Sequence, residues 1–334
     1  MSGQSRAEQS AVTDRLWTAL PRSPLRIAVS RSRPPEQRHA TPLLYVHGAT
    51  FPSELAIGHR IDGLSWRDAL LAQGYEVWAF DFLGYGASDR YVEMSSAPRL
   101  APPLGRAAAG ARQIAAVAGL IRQVTGAWRV SLIAHSWGCI AAGLFAGKFP
   151  WAVERLVFFG PIAQRDPVAG PTANTLPNWA GLTVEAQQRR FLADIPPGQP
   201  PAMAQHHFER WAAAYLASEP AGGAEVRTPT GPMADIEAAW RGQLPYDPAL
   251  IAAPLCLLRG EWDSLCTDAD AAWLLGRLPP SLRRHDIKLP GGTHLMHLEN
   301  GRTRLHDATH AFLSDGGNLA EFERHRRDFR GAAA

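Results

Sequence analysis

Short apolar runs recur along this chain with helix-length segments between them, and no other feature constrains the fold as tightly. The runs are LLYV at residues 43–46, YEVWAF at 75–80, VSLIA at 130–134 and LVFF at 156–159. A strand exposed on one face alternates apolar with polar residues. Runs that are apolar almost throughout belong to strands buried on both faces, as in a parallel sheet covered by helices. Helical patterns fill the intervals: 66–72 stops at Gly74, 107–124 stops at Gly126, and 138–149 stops at Pro150. Glycine and proline at those places end helices. The expected fold class is α/β, a mostly parallel central sheet with helices on both faces.

The alternation breaks once. Residues 163–248 are rich in proline and glycine, with helical pieces at 184–193, 203–217 and 233–241. Strand and helix then resume with a strand at 255–259, a helix at 268–278, a strand at 285–289 and a helix at 302–312. The sequence therefore divides into a core at 25–162 and 249–315 and a helical cap inserted at 163–248. Residues 1–24 are polar and loosely patterned, an arm or frayed helix, and 25–29 reads as an edge strand. Residues 316–334 read as a charged helical tail.

Several function classes lose support from composition. A formal charge of +3 on 334 residues gives no reason to invoke nucleic acid or an acidic membrane surface. The apolar runs fall far short of the ~20 residues that a bilayer span requires. The first fifteen residues lack the apolar stretch of a secretory signal. Cys139, Cys256 and Cys266 match neither a disulfide framework nor a metal-site spacing. These features point to a cytoplasmic protein with no membrane span, and a homodimer is compatible with them.

Chemistry enters at Ala134-His135-Ser136-Trp137-Gly138. A serine on a strand-to-helix turn needs small residues two places before and after it, because the turn is tight; the usual pattern is G-x-S-x-G. Alanine replaces the first glycine here. Such a turn lifts the hydroxyl above the sheet and aims the N–H of Trp137 and the helix N-terminus at a developing oxyanion. The plainer alternative is a serine that caps a helix.

With Ser136 in place, the chain resembles the α/β-hydrolase superfamily, in its branch with serine nucleophiles and an inserted cap, over about residues 41–312. Leu-Leu-Tyr-Val-His47-Gly48 is similar to the family's oxyanion-loop motif, and Asp81-Phe-Leu-Gly84-Tyr-Gly86-Ala-Ser88-Asp89 to the loop after its next strand. Leu83 stands where many relatives carry arginine, a departure that blurs the subfamily. A serine at the nucleophile place also differs from the haloalkane dehalogenase and epoxide hydrolase relatives, which use aspartate.

The family order is nucleophile, acid, histidine. The resemblance implies Asp263 as the acid, in the G-x-x-D segment Gly260-Glu-Trp-Asp263, ahead of Glu261, with Asp166 in reserve. It implies His294 as the base, after Gly291-Gly292, ahead of His297; His47 and His135 read as structural. Oxyanion donors would be the N–H groups of Ala49 and Trp137, with Thr50 next in line.

These parts imply a serine hydrolase that cleaves a small-to-medium, apolar carboxylic ester through an acyl-enzyme, needing no metal or cofactor. Thr50 and the aromatic side chains Phe208, Trp211, Tyr215 and Trp240, together with Trp137, suggest the substrate pocket; for the aromatics, packing of cap on sheet is the commoner role. The same triad serves thioester, amide, lactone or carbon–carbon hydrolysis, and acyl transfer to an alcohol or peroxide. A non-catalytic ligand-binding member would be expected to lack a triad residue, and here all three are available.

Overall fold

The computed structural model describes residues 12–167 and 176–314. Its ten strands are β1 (Val12–Ala19), β2 (Arg26–Arg33), β3 (Leu43–Val46), β4 (Val77–Phe80), β5 (Val130–His135), β6 (Val153–Phe159), β7 (Trp179–Thr183), β8 (Glu225–Pro229), β9 (Leu255–Gly260) and β10 (Arg284–Leu289). Eight of them form one sheet in the order β1-β2-β4-β3-β5-β6-β9-β10, while β7 and β8 pair only with each other. From β4 through β10 neighbouring strands run parallel, and β1 and β2 join antiparallel at one edge.

The short strands are buried on both faces, as their composition requires. Leu44, Val46, Leu132 and Ala134 face one core cluster, and Leu43, Tyr45 and Ile133 the other. The first cluster takes its cover from α2 (Ala107–Thr125), α3 (Trp137–Lys148) and α7 (Asp268–Arg277). The second is closed by α1 (Trp66–Ala72) and α8 (Arg302–Leu313). Each fully buried leucine or phenylalanine in these layers contributes about 1.5–3 kcal/mol of transfer free energy. Local signals set the helix ends. Gly126 terminates α2 in the left-handed conformation (φ 76°), and α1 and α7 start in capping boxes, Ser65 with Asp68 and Thr267 with Asp270.

Between β6 and β9 the chain leaves the sheet and builds α4 (Val184–Ala193), α5 (Gln205–Ala217) and α6 (Gly231–Ala239). The sequence pattern marked all three helices but not the antiparallel pair β7–β8, which ties Trp179–Thr183 to Glu225–Pro229. Five-residue strands broken by Gly181 and ended by Pro229 carry too little pattern to read. A second difference lies at the N-terminus. Residues 12–19 are a strand, not an arm or frayed helix, and β2 is therefore second from the edge. That strand alternates only between exposed and half-exposed positions, so pairing with β2 supports it more than burial does. The expected tail at 316–334 lies outside the described residues. Among the described residues, no helix is long and apolar enough to cross a membrane.

Strand order also locates the site. From β3 the chain moves one way to β4, then crosses back to β5 on the other side of β3. Loops leaving β3 and β5 therefore part at their carboxyl ends and open a crevice there, the usual ligand position in such sheets.

Candidate active site

Ser136 occupies the turn between β5 and α3 with φ 56° and ψ −126°. A non-glycine residue with positive φ is strained and persists only where its surroundings hold it. Its N–H donates to the Phe159 carbonyl at 2.9 Å, and its carbonyl accepts the Cys139 N–H at 2.9 Å. The small residue at position 138 is required by contact: a Cβ there would overlap the His47 carbonyl oxygen at the end of β3. The loop after β3 is equally close, since a Cβ on Gly48 would stand 3.3 Å from that of Ser136. Trp137 opens α3, so its N–H has no acceptor within the helix. Ala49 follows Gly48 on the facing loop, its carbonyl held by the Tyr85 hydroxyl at 2.5 Å.

The structure brings Ser136, His294 and Asp263 together. Nε2 of His294 is 2.8 Å from Ser136 Oγ, and Nδ1 is 2.9 and 3.0 Å from the two Asp263 carboxylate oxygens. Asp263 Oδ1 also accepts the N–H groups of Leu265 and Cys266, at 2.9 and 3.0 Å, which aims the carboxylate. Gly160 makes room for this pair, because a Cβ there would lie 2.9 Å from Asp263 Oδ2 and 3.0 Å from His294 Nδ1. Since the carboxylate accepts from Nδ1–H, Nε2 is left to accept the serine proton. Glu261 is exposed and accepts from Gly291 N–H, and Asp166 is exposed on the loop after β6. Neither reaches the imidazole.

The other histidines support the framework. His47 accepts the Phe82 N–H at Nε2 (3.0 Å), so its Nδ1–H donates to the Gly48 carbonyl (2.8 Å) and fixes that loop. Burial lowers its pKa and keeps it neutral. His135 lies against Phe159 and meets the His294 carbonyl through Nε2 at 3.0 Å, and burial first, then His297 and His294, depress its pKa. His297 sits on the turn Met296–Leu298, buried beside His135, and neither of its ring nitrogens bonds the serine hydroxyl.

Of the proposed pocket residues, Phe208, Trp211 and Tyr215 share one face of α5 and form an aromatic group with Phe191 and Phe51. Trp211 is also pinned to the sheet side by donating to the Leu55 carbonyl at 3.0 Å. Trp240 lies apart, under the Arg165 guanidinium. Trp137 turns its indole into the core, edge-on to Phe82, and donates to Asp235 Oδ2 at 3.0 Å. Its ring therefore anchors the elbow to α6 and does not line a pocket. Thr50 accepts a hydrogen bond from Arg190 of α4.

Sequence reasoning missed three residues that touch this site from the insertion. Asp235 joins α6 to both α2 and the elbow. Asp194 accepts the His294 N–H at 3.4 Å and also the Ser264 hydroxyl. Arg190 reaches Thr50. The only signal available was the four-residue spacing of Arg190 and Asp194, which puts both on one helix face. Ser136 is 4% and His294 3% exposed. A surface cavity of about 720 Å³ lies elsewhere, among Arg15, Asp81, Gly86, Arg210 and Ser218, and includes neither residue.

Solved structures of several hydrolases share this architecture. A thioesterase domain from the curacin biosynthetic pathway is 17% identical, with 89% of this chain and 98% of that one covered and a TM-score of 0.57. A serine hydrolase from the polyaromatic hydrocarbon-degrading bacterium Cycloclasticus zankles is 16% identical, with 91% and 98% covered and a TM-score of 0.58. An epoxide hydrolase from Vigna radiata is 16% identical, with 90% and 98% covered and a TM-score of 0.56. At such identities the likeness is one of fold. Among curated proteins, none matches the sequence. The model of the alpha/beta hydrolase family matches residues 43–308, a span that includes the elbow, both partners of the imidazole pair and the insertion between them, and the chain belongs to that family.

Proposed function

We propose that this chain is a serine hydrolase acting on a carboxylic ester, with Ser136 as nucleophile, His294 as general base and acid, and Asp263 as the group that orients the imidazole. The observation that supports it is the continuous relay from Ser136 Oγ to His294 Nε2 and from Nδ1 to Asp263, all within 3.0 Å. His294 takes the hydroxyl proton as Oγ attacks the carbonyl carbon. The negative charge then rests on the N–H groups of Ala49 and Trp137, and the imidazolium is stabilised by Asp263. His294 passes its proton to the departing alcohol. It next deprotonates a water, which attacks the acyl-enzyme and releases the acid and the free serine. Residues 163–248 act as a cap in this reading, and the aromatic group on α5 forms its apolar wall.

Labelling with a fluorophosphonate probe tests the assignment. Wild type is expected to label, and Ser136→Ala not at all. His294→Ala should lower the turnover of p-nitrophenyl butyrate by about 10⁴-fold or more, as removal of a triad member does. A folded wild type that resists the probe, or a Ser136→Ala variant that labels equally, refutes the assignment. A series of p-nitrophenyl esters of rising chain length, with water and added alcohol as competing acceptors, then separates hydrolysis from acyl transfer.

A further inference from the structure

Arg190 is a cation with no carboxylate in hydrogen-bond contact among the described residues, and it stands beside the loop after β3. Its Nη1 donates to Thr50 Oγ1 and, at 3.0 Å, to the side-chain oxygen of Gln187, both neutral acceptors. Among the described residues it makes no ion pair. Four other arginines of the core and insertion do have carboxylate partners: Arg106 pairs with Asp235, Arg165 with Asp270, Arg227 with Glu219 and Arg259 with Asp286. Arg90 has no carboxylate either, but the carbonyls of Gly86, Ser88 and Ser218 accept from it. Desolvation is the first cause lowering the pKa of Arg190, with Tyr215 and Asp194 acting in the opposite sense. Arginine does not give up its proton in proteins, so the folded chain carries this charge without a hydrogen-bonded carboxylate among the described residues, at a cost.

Two contacts place the end of α4 beside the reacting centre. Thr50, the partner of Arg190, directly follows Ala49 on the loop facing Ser136. Asp194, which caps α4 four residues after Arg190, meets the backbone N–H of His294. Residues four apart lie one turn apart on the same side, so this end of the helix runs from the loop after β3 to the loop after β10. Nε and Nη2 of Arg190 carry no hydrogen bond among the described residues, and the residue is half-buried. That edge of a guanidinium matches the two oxygens of a carboxylate.

We propose that Arg190, with the Thr50 hydroxyl, binds a carboxylate on the substrate next to the scissile carbonyl, so that the preferred substrates are acidic esters. The inference rests on the serine-hydrolase reading and narrows it. Oxyanion stabilisation by Arg190 would instead affect every ester alike. A purely structural role, fastening α4 to the oxyanion loop, would affect stability without regard to substrate charge.

The test compares matched esters in wild type, Arg190→Met and Arg190→Lys. One pair is p-nitrophenyl butyrate with the mono-p-nitrophenyl ester of glutaric acid; the other is phenyl acetate with 3-acetoxybenzoate, which moves the carboxylate to the leaving group. Wild type should favour the acidic member of one pair. Arg190→Met should lower kcat/KM for that member by about 10- to 150-fold, the worth of a charged hydrogen-bonded contact. The neutral member has no carboxylate for Arg190 to hold and should lose less, so that the preference for the acid collapses, and Arg190→Lys should restore part of it. Equal losses on both members, or no preference for either acid in wild type, overturn the proposal. Calorimetric binding of glutarate to Ser136→Ala, with and without Arg190→Met, separates the two readings. Binding that depends on Arg190 supports the subsite even if Ser136 proves unreactive, and Arg190-independent or absent binding counts against the subsite alone.

Discussion

Asp235 is the contact whose removal should be felt most widely. Its side chain is 2% exposed and accepts from Arg106 Nε, from the Ala107 N–H at 2.6 Å and from the Trp137 indole at 3.0 Å. Asp235→Ala leaves the last two donors stranded, each in a residue 1% exposed. A buried unsatisfied donor costs about 1–3 kcal/mol, so the pair amounts to about 2–6 kcal/mol. Arg106 is 45% exposed and finds water once released, so its share is about 0–1 kcal/mol. The expected destabilisation is therefore about 4 kcal/mol. Trp137→Phe removes one donor and leaves the carboxylate its other two, at about 1 kcal/mol. Urea unfolding followed by circular dichroism measures both variants and the double mutant. A coupling of about 1–2 kcal/mol is expected, because the residues share one hydrogen bond. A cost below about 1 kcal/mol for Asp235→Ala, or strict additivity, refutes the reasoning. Since Trp137 follows the serine, probe labelling of Asp235→Ala should slow as well.

Two further substitutions test the buried groups beside His294. Burial raises the Glu299 carboxyl from 4.5 to about 7, despite donation from Thr293, and Asp194 and Asp263 add to the rise. A raised folded value means that stability is complete below the unfolded pKa and is lost as pH rises through about 7. Glu299→Gln should abolish that decline, on the order of 3 kcal/mol between pH 4.5 and 8; urea midpoints at both ends that fall as in wild type count against it. His297 has neither ring nitrogen partnered among the described residues, and burial holds its pKa near 3, with help from His294 and His306. A depressed value gives stability that is present above 6.5 and lost as pH falls towards about 3. His297→Leu should flatten that acid limb and leave Ser136 labelling intact, and a loss of labelling equal to that of His294→Ala would return His297 to the mechanism.

What could be read in advance follows from where the information lies. The strands 43–46, 130–134 and 156–159 are apolar because both faces are buried, so composition alone marks them. Ser136 was legible through the small residues Ala134 and Gly138 that its tight turn demands, and Asp263 and His294 through the resemblance of Gly260-Glu-Trp-Asp263 and Gly292-Thr-His294 to the family's motifs; Gly160, which makes room for the pair, carries no such mark. Residues 12–19 were not, because β1 is a half-exposed edge whose partner, not its own pattern, makes it a strand. Arg190 and Asp235 act across 140 and 98 positions on Thr50 and Trp137. Nothing in the local sequence of α4 or α6 specifies such a partner; packing of the insertion on the sheet does. The same holds for Trp137, whose indole turns from the pocket to Asp235 through a contact the local sequence does not encode.

The serine and its base are 158 positions apart, on either side of the whole insertion. A ribosome delivers them in that order. Once residues through β6 have emerged, β3, β5 and the Phe159 carbonyl that hold the strained turn are all present. The acid and the imidazole arrive only with the loops after β9 and β10. Under the proposed mechanism an incomplete chain would hold the serine without the group that deprotonates it. Labelling of Ser136 by the probe would then also report that β10 has joined the sheet.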